Sequence, residues 1–136
     1  MKRILLAAVL TSSAAAGPAP QAAVTDVVHA FAAAGDQRDV DALQPLLHAD
    51  FRIVADMGPK GVATLDRATY LGMLSAGKLG GGARTVTVED VRIDSKIATV
   101  RATMTRADAV FHTTWTLAEA DAGWQIVQDA VFMEAR

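Results

Sequence analysis

The last third of the chain, residues 97–132, is almost continuously β-forming and constrains the fold more than any other stretch. β-Branched and aromatic residues fill the runs 110–117 and 124–132, and such residues suit the pleated surface of a strand. Residues 120–123, Ala-Asp-Ala-Gly, have the length and composition of a hairpin loop. This tract therefore predicts two long antiparallel strands that close the chain.

Side-chain alternation predicts which face of this hairpin is buried. A loop at residues 120–123 would pair Leu117 with Ile126, and Trp115 with Gln128. That register places the large apolar side chains together on one face: Phe111, Trp115, Leu117, Trp124, Ile126 and Phe132. A slip of one residue would divide them between core and solvent, so the pattern favours this register.

Three stretches with apolar residues at helical spacing precede the hairpin, at residues 23–34, 39–47 and 67–76. Asp39 and Asp66 stand at N-cap positions, where a carboxylate can accept a bond from the backbone. Pro45 would remove a backbone donor, so the second helix should be short or kinked.

Further strands are predicted by alternation at residues 51–54, 62–65, 84–93 and 96–105. The apolar positions change parity at Glu89 and Asp90, which predicts a β-bulge that bends the sheet. Residues 79–83 are rich in glycine and should be the loosest part of the domain. The order predicts an α+β domain in which a curved antiparallel sheet wraps around N-terminal helices and leaves a ligand cavity between them.

The N-terminus carries the pattern of a secretory signal peptide at residues 1–16. Lys2 and Arg3 precede a short apolar run and small residues that end at Ala16, and the run is too short to span a bilayer. We expect cleavage near Ala16, a flexible leader at residues 17–22 and one domain at residues 23–136. The mature protein should then be periplasmic or secreted, with no membrane span.

Composition argues against several classes of function. The formal net charge is −2 without a basic block, which argues against nucleic acid as a partner. The absence of cysteine removes disulfides, thiol nucleophiles and thiolate metal sites. His29, His48 and His112 lie far apart without a ligand motif, so we expect no metal and no cofactor. No serine stands in a Gly-x-Ser-x-Gly motif, which argues against a covalent hydrolase.

Three stretches resemble a known superfamily: FAAAGDQRDVDALQPLLHADFRI, GVATLDRATYLGML and DAGWQIVQDAVF. Together they resemble the nuclear-transport-factor-2-like fold, also called SnoaL-like, and most closely its lumazine-binding branch of bacterial proteins. The resemblance spans residues 23–132. It implies a cone-shaped α+β barrel, often a homodimer, in a superfamily of isomerases, dehydratases, hydrolases, cyclases and non-catalytic binders. It also hints at an aromatic heterocycle as the ligand.

Three residues are candidates for catalysis. His112 and Asp129 would share a face of the hairpin, where they could transfer protons as general base and orienting acid. That face is the less apolar one, so both could instead contact solvent or a dimer partner. Tyr70 could donate a hydrogen bond to a ligand carbonyl, or could pack its ring in the core.

Five residues are candidates for ligand contacts: Phe31, Phe51, Met73, Trp115 and Gln128. The aromatic rings could stack on a flat molecule or could simply form the core. Gln128 is the one strongly polar residue on the face that carries the large apolar side chains. It could contact a ligand, or it could be a buried amide that forms hydrogen bonds within the protein.

Three functions remain open from the sequence. The first is a binder without catalysis that holds a small apolar or aromatic molecule. The second is a cofactor-independent isomerase or dehydratase that transfers protons through His112, Asp129 or Tyr70. The third is a structural homodimer module, in which a second copy covers Val110, Val127 and Val131.

Overall fold

The computed structural model describes residues 18–136, in which helices pack on one face of a six-stranded sheet. The predicted signal peptide and its cleavage site lie outside these residues. The helices are α1 (Pro18–Asp36), α2 (Val40–Leu43) and α3 (Arg67–Ser75), with 3-10 turns at Gln44–Leu46 and Gly58–Lys60. The strands are β1 (Leu47–Asp56), β2 (Val62–Asp66), β3 (Thr85–Asp94), β4 (Ile97–Arg106), β5 (Ala109–Ala120) and β6 (Gly123–Ala135).

The sheet has the order β2-β1-β6-β5-β4-β3. All neighbouring strands are antiparallel except β1 and β6, which pair in parallel. The predicted α+β fold is confirmed, but the sheet is mixed, because the last strand of the chain returns to lie beside the first. Within the described part of the chain β2 and β3 are edge strands, so the sheet stays open and does not close into a barrel.

Helix α1 lies against β3 and β6, while α3 lies against β1 and β2. We call the sheet face that contacts these helices the inner face, and the opposite one the outer face. α1 begins at Pro18, a residue that suits the first helical position, so residues 18–22 form its first turns. Within residues 18–136, no helix has both the length and the apolarity that a membrane crossing requires.

Both predicted N-caps are confirmed. Asp39 accepts a bond of 3.1 Å from the backbone of Ala42, and Asp66 accepts one of 2.8 Å from Thr69. Each carboxylate satisfies a backbone donor that the first turn of a helix leaves unpaired. The caps fix where α2 and α3 begin, and α3 carries Tyr70 to the core.

Phe31 on α1 is at the centre of the core. Its ring centroid lies 6.1 Å from that of Phe51, 6.0 Å from that of Tyr70 and 6.0 Å from that of Trp115, which it meets edge-on. These contacts join α1, β1, α3 and β5 through one side chain. Aromatic pairs at this separation add to the free energy gained by burial alone.

The predicted bulge in β3 is confirmed. Val88 pairs with Ala102 and Asp90 with Arg101, so Glu89 is the extra residue. Because of the inserted residue, the apolar side chains before and after the bulge point to the same face of the sheet. A bulge also increases the local twist of the sheet.

A second bulge, in β6, was not predicted and changes the inner face. Leu117 pairs with Ile126 as expected, but Thr116 pairs with Gln128, which leaves Val127 as an extra residue. Trp115 therefore pairs with Asp129, and the predicted pairing of Trp115 with Gln128 is wrong. Beyond Val127 every side chain of β6 lies on the face opposite to the predicted one.

Candidate functional site

A cavity of about 150 Å³ lies between α1, α3 and the inner face of the sheet. Most of its wall is apolar and consists of Phe31, Ile53, Leu74, Leu79, Met104, Phe111 and Val131. Five polar side chains reach the same space: Asp36, Tyr70, Arg84, Arg106 and Asp129. A mainly apolar pocket with a few convergent polar groups is the usual form of a small-molecule site.

Asp129 is the most unusual of these groups. It is only 5% exposed, and its Oδ1 atom has no hydrogen-bond partner. The indole N–H of Trp115 faces this carboxyl across the strand pair, but neither Trp115 Nε1 nor Asp129 Oδ1 completes a hydrogen bond of regular geometry. Burial raises the pKa of Asp129 to about 7, while the Trp115 N–H and the Arg84 charge lower it. Near neutral pH the carboxyl can therefore both donate and accept a proton.

Two polar atoms of β5 share this lack of partners. Trp115 Nε1 and Thr113 Oγ1 are buried and make no hydrogen bond, and Thr113 pairs with Val131, the next inward residue of β6 after Asp129. Buried polar groups without a hydrogen-bond partner are rare in native proteins, so their presence here can indicate a functional site. Of the three residues, only Asp129 lines the cavity, so it is the one that a ligand atom can reach.

Tyr70 lies on the opposite wall, on α3. Burial raises the pKa of its phenol well above the ordinary value, the charges of Asp129 and Asp36 add to this rise, and Arg84 opposes it. The phenol therefore stays protonated and can donate a hydrogen bond into the cavity. A β-carbon added to Gly35 would lie 3.3 Å from Tyr70 Oη and 3.2 Å from Arg84 Nη2, so the glycine provides the room for both groups.

An ion pair joins the end of α1 to the start of β3. Arg84 Nε donates to Asp36 Oδ1 at 2.6 Å, and the Arg84 backbone N–H donates to Asp36 Oδ2 at 2.9 Å. Arg84 Nη2 also donates to the carbonyl of Ala32 at 3.3 Å. The two side chains are only 15% and 12% exposed, so this pair is screened less by solvent than one on the surface.

The glycine-rich α3–β3 loop (residues 76–84) covers one side of the cavity, and it is not loose. Arg38 donates to three of its carbonyls, those of Gly77, Leu79 and Gly80. A β-carbon at Gly80 would clash with the carbonyl oxygen of Gly35, so glycine allows the loop to approach the end of α1. The expectation of a loose segment is corrected, because composition does not reveal a distant side chain that binds the loop.

His112 lies on the outer face, away from the cavity. Its ring stacks on Phe132 with centroids 4.5 Å apart, and its Nε2 lies 2.5 Å from Oε1 of Glu134. His112 and Phe132 border a separate groove of about 480 Å³ on the outer face. The predicted placement of His112 and Asp129 on one face is therefore wrong, because Val127 turns Asp129 inward.

The other predicted site residues divide in the same way. Tyr70 and Phe31 line the cavity, whereas Phe51 and Trp115 are buried in the core behind its wall. Met73 is half-buried on α3 and does not line the cavity. Gln128 pairs with Thr116 on the outer face, so it does not lie among the large apolar side chains as predicted. Phe132 also lies on the outer face, opposite to its predicted position.

The sequence analysis did not identify the arginines of the cavity wall. Arg84 and Arg106 both approach Phe111, with Cζ at 5.5 Å and 5.1 Å from the ring centroid. Both stand at strand ends beside turns, where charged residues are ordinarily solvated, so no local pattern marks them. Within residues 18–136, no three His, Asp or Glu side chains come close enough to hold a metal ion together.

Comparison with known families gives one match that covers most of the chain. The model of a family described as "Putative lumazine-binding" matches residues 19–132. No curated protein matches the chain.

Solved structures show the same fold at low sequence identity. An NTF2-like protein of unknown function from Silicibacter pomeroyi is 18% identical, with a TM-score of 0.74 over 88% of this chain and 98% of that one. A second one, from Shewanella baltica, is 10% identical with a TM-score of 0.76 over 91% and 98%. A ketosteroid isomerase-like protein from Erwinia carotovora atroseptica is 14% identical, with a TM-score of 0.68 over 85% and 96%. These similarities show the nuclear-transport-factor-2-like fold.

We expect the Asp129→Asn variant to change how the free energy of unfolding depends on pH. The carboxyl titrates near 3.8 when unfolded and near 7 when folded, so the folded state holds its proton longer. Stability should therefore fall between these pH values, by about 4 kcal/mol from this group, and stay low above pH 7. Asparagine cannot ionise, so the variant should gain about that much over the parent between about pH 4 and about pH 8.

Urea unfolding of both proteins at several pH values measures this difference. Asp121→Asn, in the exposed β5–β6 turn, is the matched control and should follow the parent. Parallel curves for Asp129→Asn and the parent would contradict the assignment.

Proposed function

This chain belongs to the family described as "Putative lumazine-binding", and we propose that it binds a small apolar or aromatic molecule in the cavity between α1, α3 and the sheet. The carrying observation is the carboxyl of Asp129, which borders an apolar space while its Oδ1 atom has no partner. A buried polar group without a partner is destabilising by about 1–3 kcal/mol. Oδ1 itself is shielded, but a ligand that forms a hydrogen bond with the part of this carboxyl that borders the cavity would lower the cost of burying the group.

The size of the cavity limits the ligand. A cavity of about 150 Å³ is large enough for one benzene ring. Most drug-sized ligands occupy larger pockets, of roughly 300–1,000 Å³. The proposal therefore concerns single-ring molecules, since a fused heterocycle such as lumazine would require the α3–β3 loop to move.

Binding without turnover is the simpler form of this proposal. His112, the predicted second proton carrier, lies on the outer face. The raised pKa of Tyr70 keeps its proton in place at neutral pH. Asp129 is then the one group of the described cavity wall with a pKa raised to near neutrality.

Proton transfer is a second candidate, and one observation favours it. A general acid–base works best when its pKa lies near the working pH, which is where burial places Asp129. Tyr70 on the opposite wall could then donate a hydrogen bond to an oxygen that gains negative charge. Together they would suit a cofactor-independent isomerase or dehydratase that acts on a carbon acid next to a carbonyl.

A homodimer through the outer face is our proposal for the assembly. The groove there is bordered by the exposed apolar residues Val62 and Phe132, at 69% and 46% exposure. Charges of both signs accompany them, namely Asp56, Glu89 and Arg101. A two-fold axis brings a surface against itself, so a mixed-sign surface can be its own complement.

Export is proposed from residues 1–16 alone, whose basic start, apolar run and small-residue end support a periplasmic or secreted protein.

We expect single-ring compounds to raise the melting temperature of the protein, because a ligand that binds only the folded state stabilises it. At a concentration of 100 times Kd the gain is about 2.7 kcal/mol. Gly35→Ala should weaken binding about tenfold or more, since its methyl group presses on Tyr70 Oη and Arg84 Nη2. Gly72→Ala adds the same methyl group to α3 with nothing within 4 Å, and should bind like the parent. Absence of a shift with any compound, or equal binding by both variants, would refute the site.

We expect any turnover to depend on Asp129. Solvent deuterium incorporation into a carbon acid, followed by NMR, reports proton transfer directly. Asp129→Asn should abolish it, and Tyr70→Phe should slow it about tenfold or more if the phenol stabilises an oxyanion. His112→Gln on the outer face should keep the parent rate. Turnover that survives Asp129→Asn would remove this candidate and leave binding alone.

We expect native mass spectrometry of the protein, expressed from the full sequence and recovered from the periplasm, to show two copies that start near Gly17. Phe132→Asp should give a monomer, because it places a charge in the outer groove. Met133→Asp is the control, since Met133 is comparably exposed, at 56%, but does not share the face of Phe132. It pairs with Phe111, in the alternation of β6 that also contains Asp129. A monomeric parent would refute the dimer, and retention of residues 1–16 would refute export.

A further inference from the structure

We infer that the ligand is a single-ring carboxylate, whose anionic group is held by Arg84 and Arg106 while its ring enters the apolar part of the cavity. The inference rests on the proposed binding function and names the class of molecule. It depends on the placement of two guanidinium groups beside one aromatic ring of the cavity wall.

Both arginines border the cavity and share one aromatic ring. Arg84 Cζ lies 5.5 Å and Arg106 Cζ lies 5.1 Å from the centroid of Phe111. The ring attracts each cation, but the two cations repel each other. Phe111 and both arginines line the cavity, so both charges lie beside the space that a ligand would occupy. An anion at this position would be attracted by both charges at once.

Each guanidinium pairs with a carboxylate through Nε and keeps terminal donors. Arg84 Nε lies 2.6 Å from Asp36, and Arg106 Nε lies 2.6 Å from Asp108. Among residues 18–136, the terminal nitrogens of Arg106 form no hydrogen bond. A guanidinium offers five N–H donors in a fork that matches a carboxylate. The side chains can therefore keep these pairs and bind a ligand carboxylate with the remaining donors.

The two ion pairs differ in strength, which gives the arginines different roles. Asp108 is 74% exposed, and an exposed pair contributes little to stability because water screens it. The Arg84–Asp36 pair is much less exposed and is reinforced by the Arg84 backbone N–H. Arg84 is thus a fixed hydrogen-bond donor in the cavity wall, with its charge balanced by Asp36, and Arg106 supplies the charge that can turn toward an anion.

The other acidic groups of the cavity do not oppose an anion. Asp36 is already paired with Arg84. The burial that raises the pKa of Asp129 to about 7 favours its neutral form below that pH, and the neutral carboxyl can donate a hydrogen bond to a polar substituent of the ligand. The apolar wall, with Phe31, Ile53 and Met104, accepts the ring.

Calorimetric titration with benzoate and with benzamide at about pH 6 and constant ionic strength tests the inference, because the two probes share a ring and differ in charge. We expect benzoate to bind about tenfold or more tighter than benzamide. Arg106→Gln should remove that preference and leave benzamide binding unchanged. Asp108→Asn breaks the same surface pair but keeps the arginine, so it should bind benzoate at least as tightly as the parent. Arg92→Gln, an exposed arginine on the outer face of β3 that does not line the outer groove, should have no effect.

The possible failures are distinct. If benzamide binds as tightly as benzoate, or if Arg106→Gln and Arg92→Gln both leave benzoate binding unchanged, the carboxylate inference is overturned while binding in the cavity stands. If neither probe binds and no other single-ring compound stabilises the protein, the proposed function fails together with the inference.

Discussion

The pairing of Trp115 with Asp129 across β5 and β6 determines what the interior of this domain can do. It exists because Val127 is an extra residue in β6 and reverses the direction of every later side chain. In a regular ladder Gln128 would face the core and Asp129 would lie outside with His112. The bulge thus exchanges a neutral amide for an acid at the base of the cavity, and the sheet itself positions that acid.

Burial of Asp129 conflicts with the stability of the fold. Desolvation favours the neutral form, so ionisation above the raised pKa of this carboxyl destabilises the protein, and neither Oδ1 nor the facing indole N–H is paired. An asparagine or an aliphatic residue would avoid this penalty. Local conflicts of this kind concentrate at functional sites, where the chemistry of the group outweighs its cost. We therefore regard Asp129, and not the aromatic core around Phe31, as the centre of the site.

The difference between the two bulges explains how much the sequence could predict. In β3 the apolar residues stand at even positions before the bulge, Val86 and Val88, and at odd positions after it, Val91 and Ile93. The sequence alone therefore reveals the inserted residue. In β6, Phe132 continues the parity of Trp124 and Ile126 although it lies on the outer face, so the pattern conceals the insertion. The N-caps were predictable because an Asp and its backbone donor are three residues apart. The Arg84–Asp36 pair was not, because 48 residues separate its members and no local periodicity relates them.

The same long-range contacts set the size of the cavity. Leu79 and Gly80 bring the α3–β3 loop against the end of α1, and Arg38 holds it there through exposed hydrogen bonds to three carbonyls. Each such bond contributes only about 0.5–1.5 kcal/mol, whereas the Arg84–Asp36 pair is shielded from solvent and fixed at both ends. The Arg84 end of the loop is therefore held more firmly than residues 77–80, which Arg38 contacts.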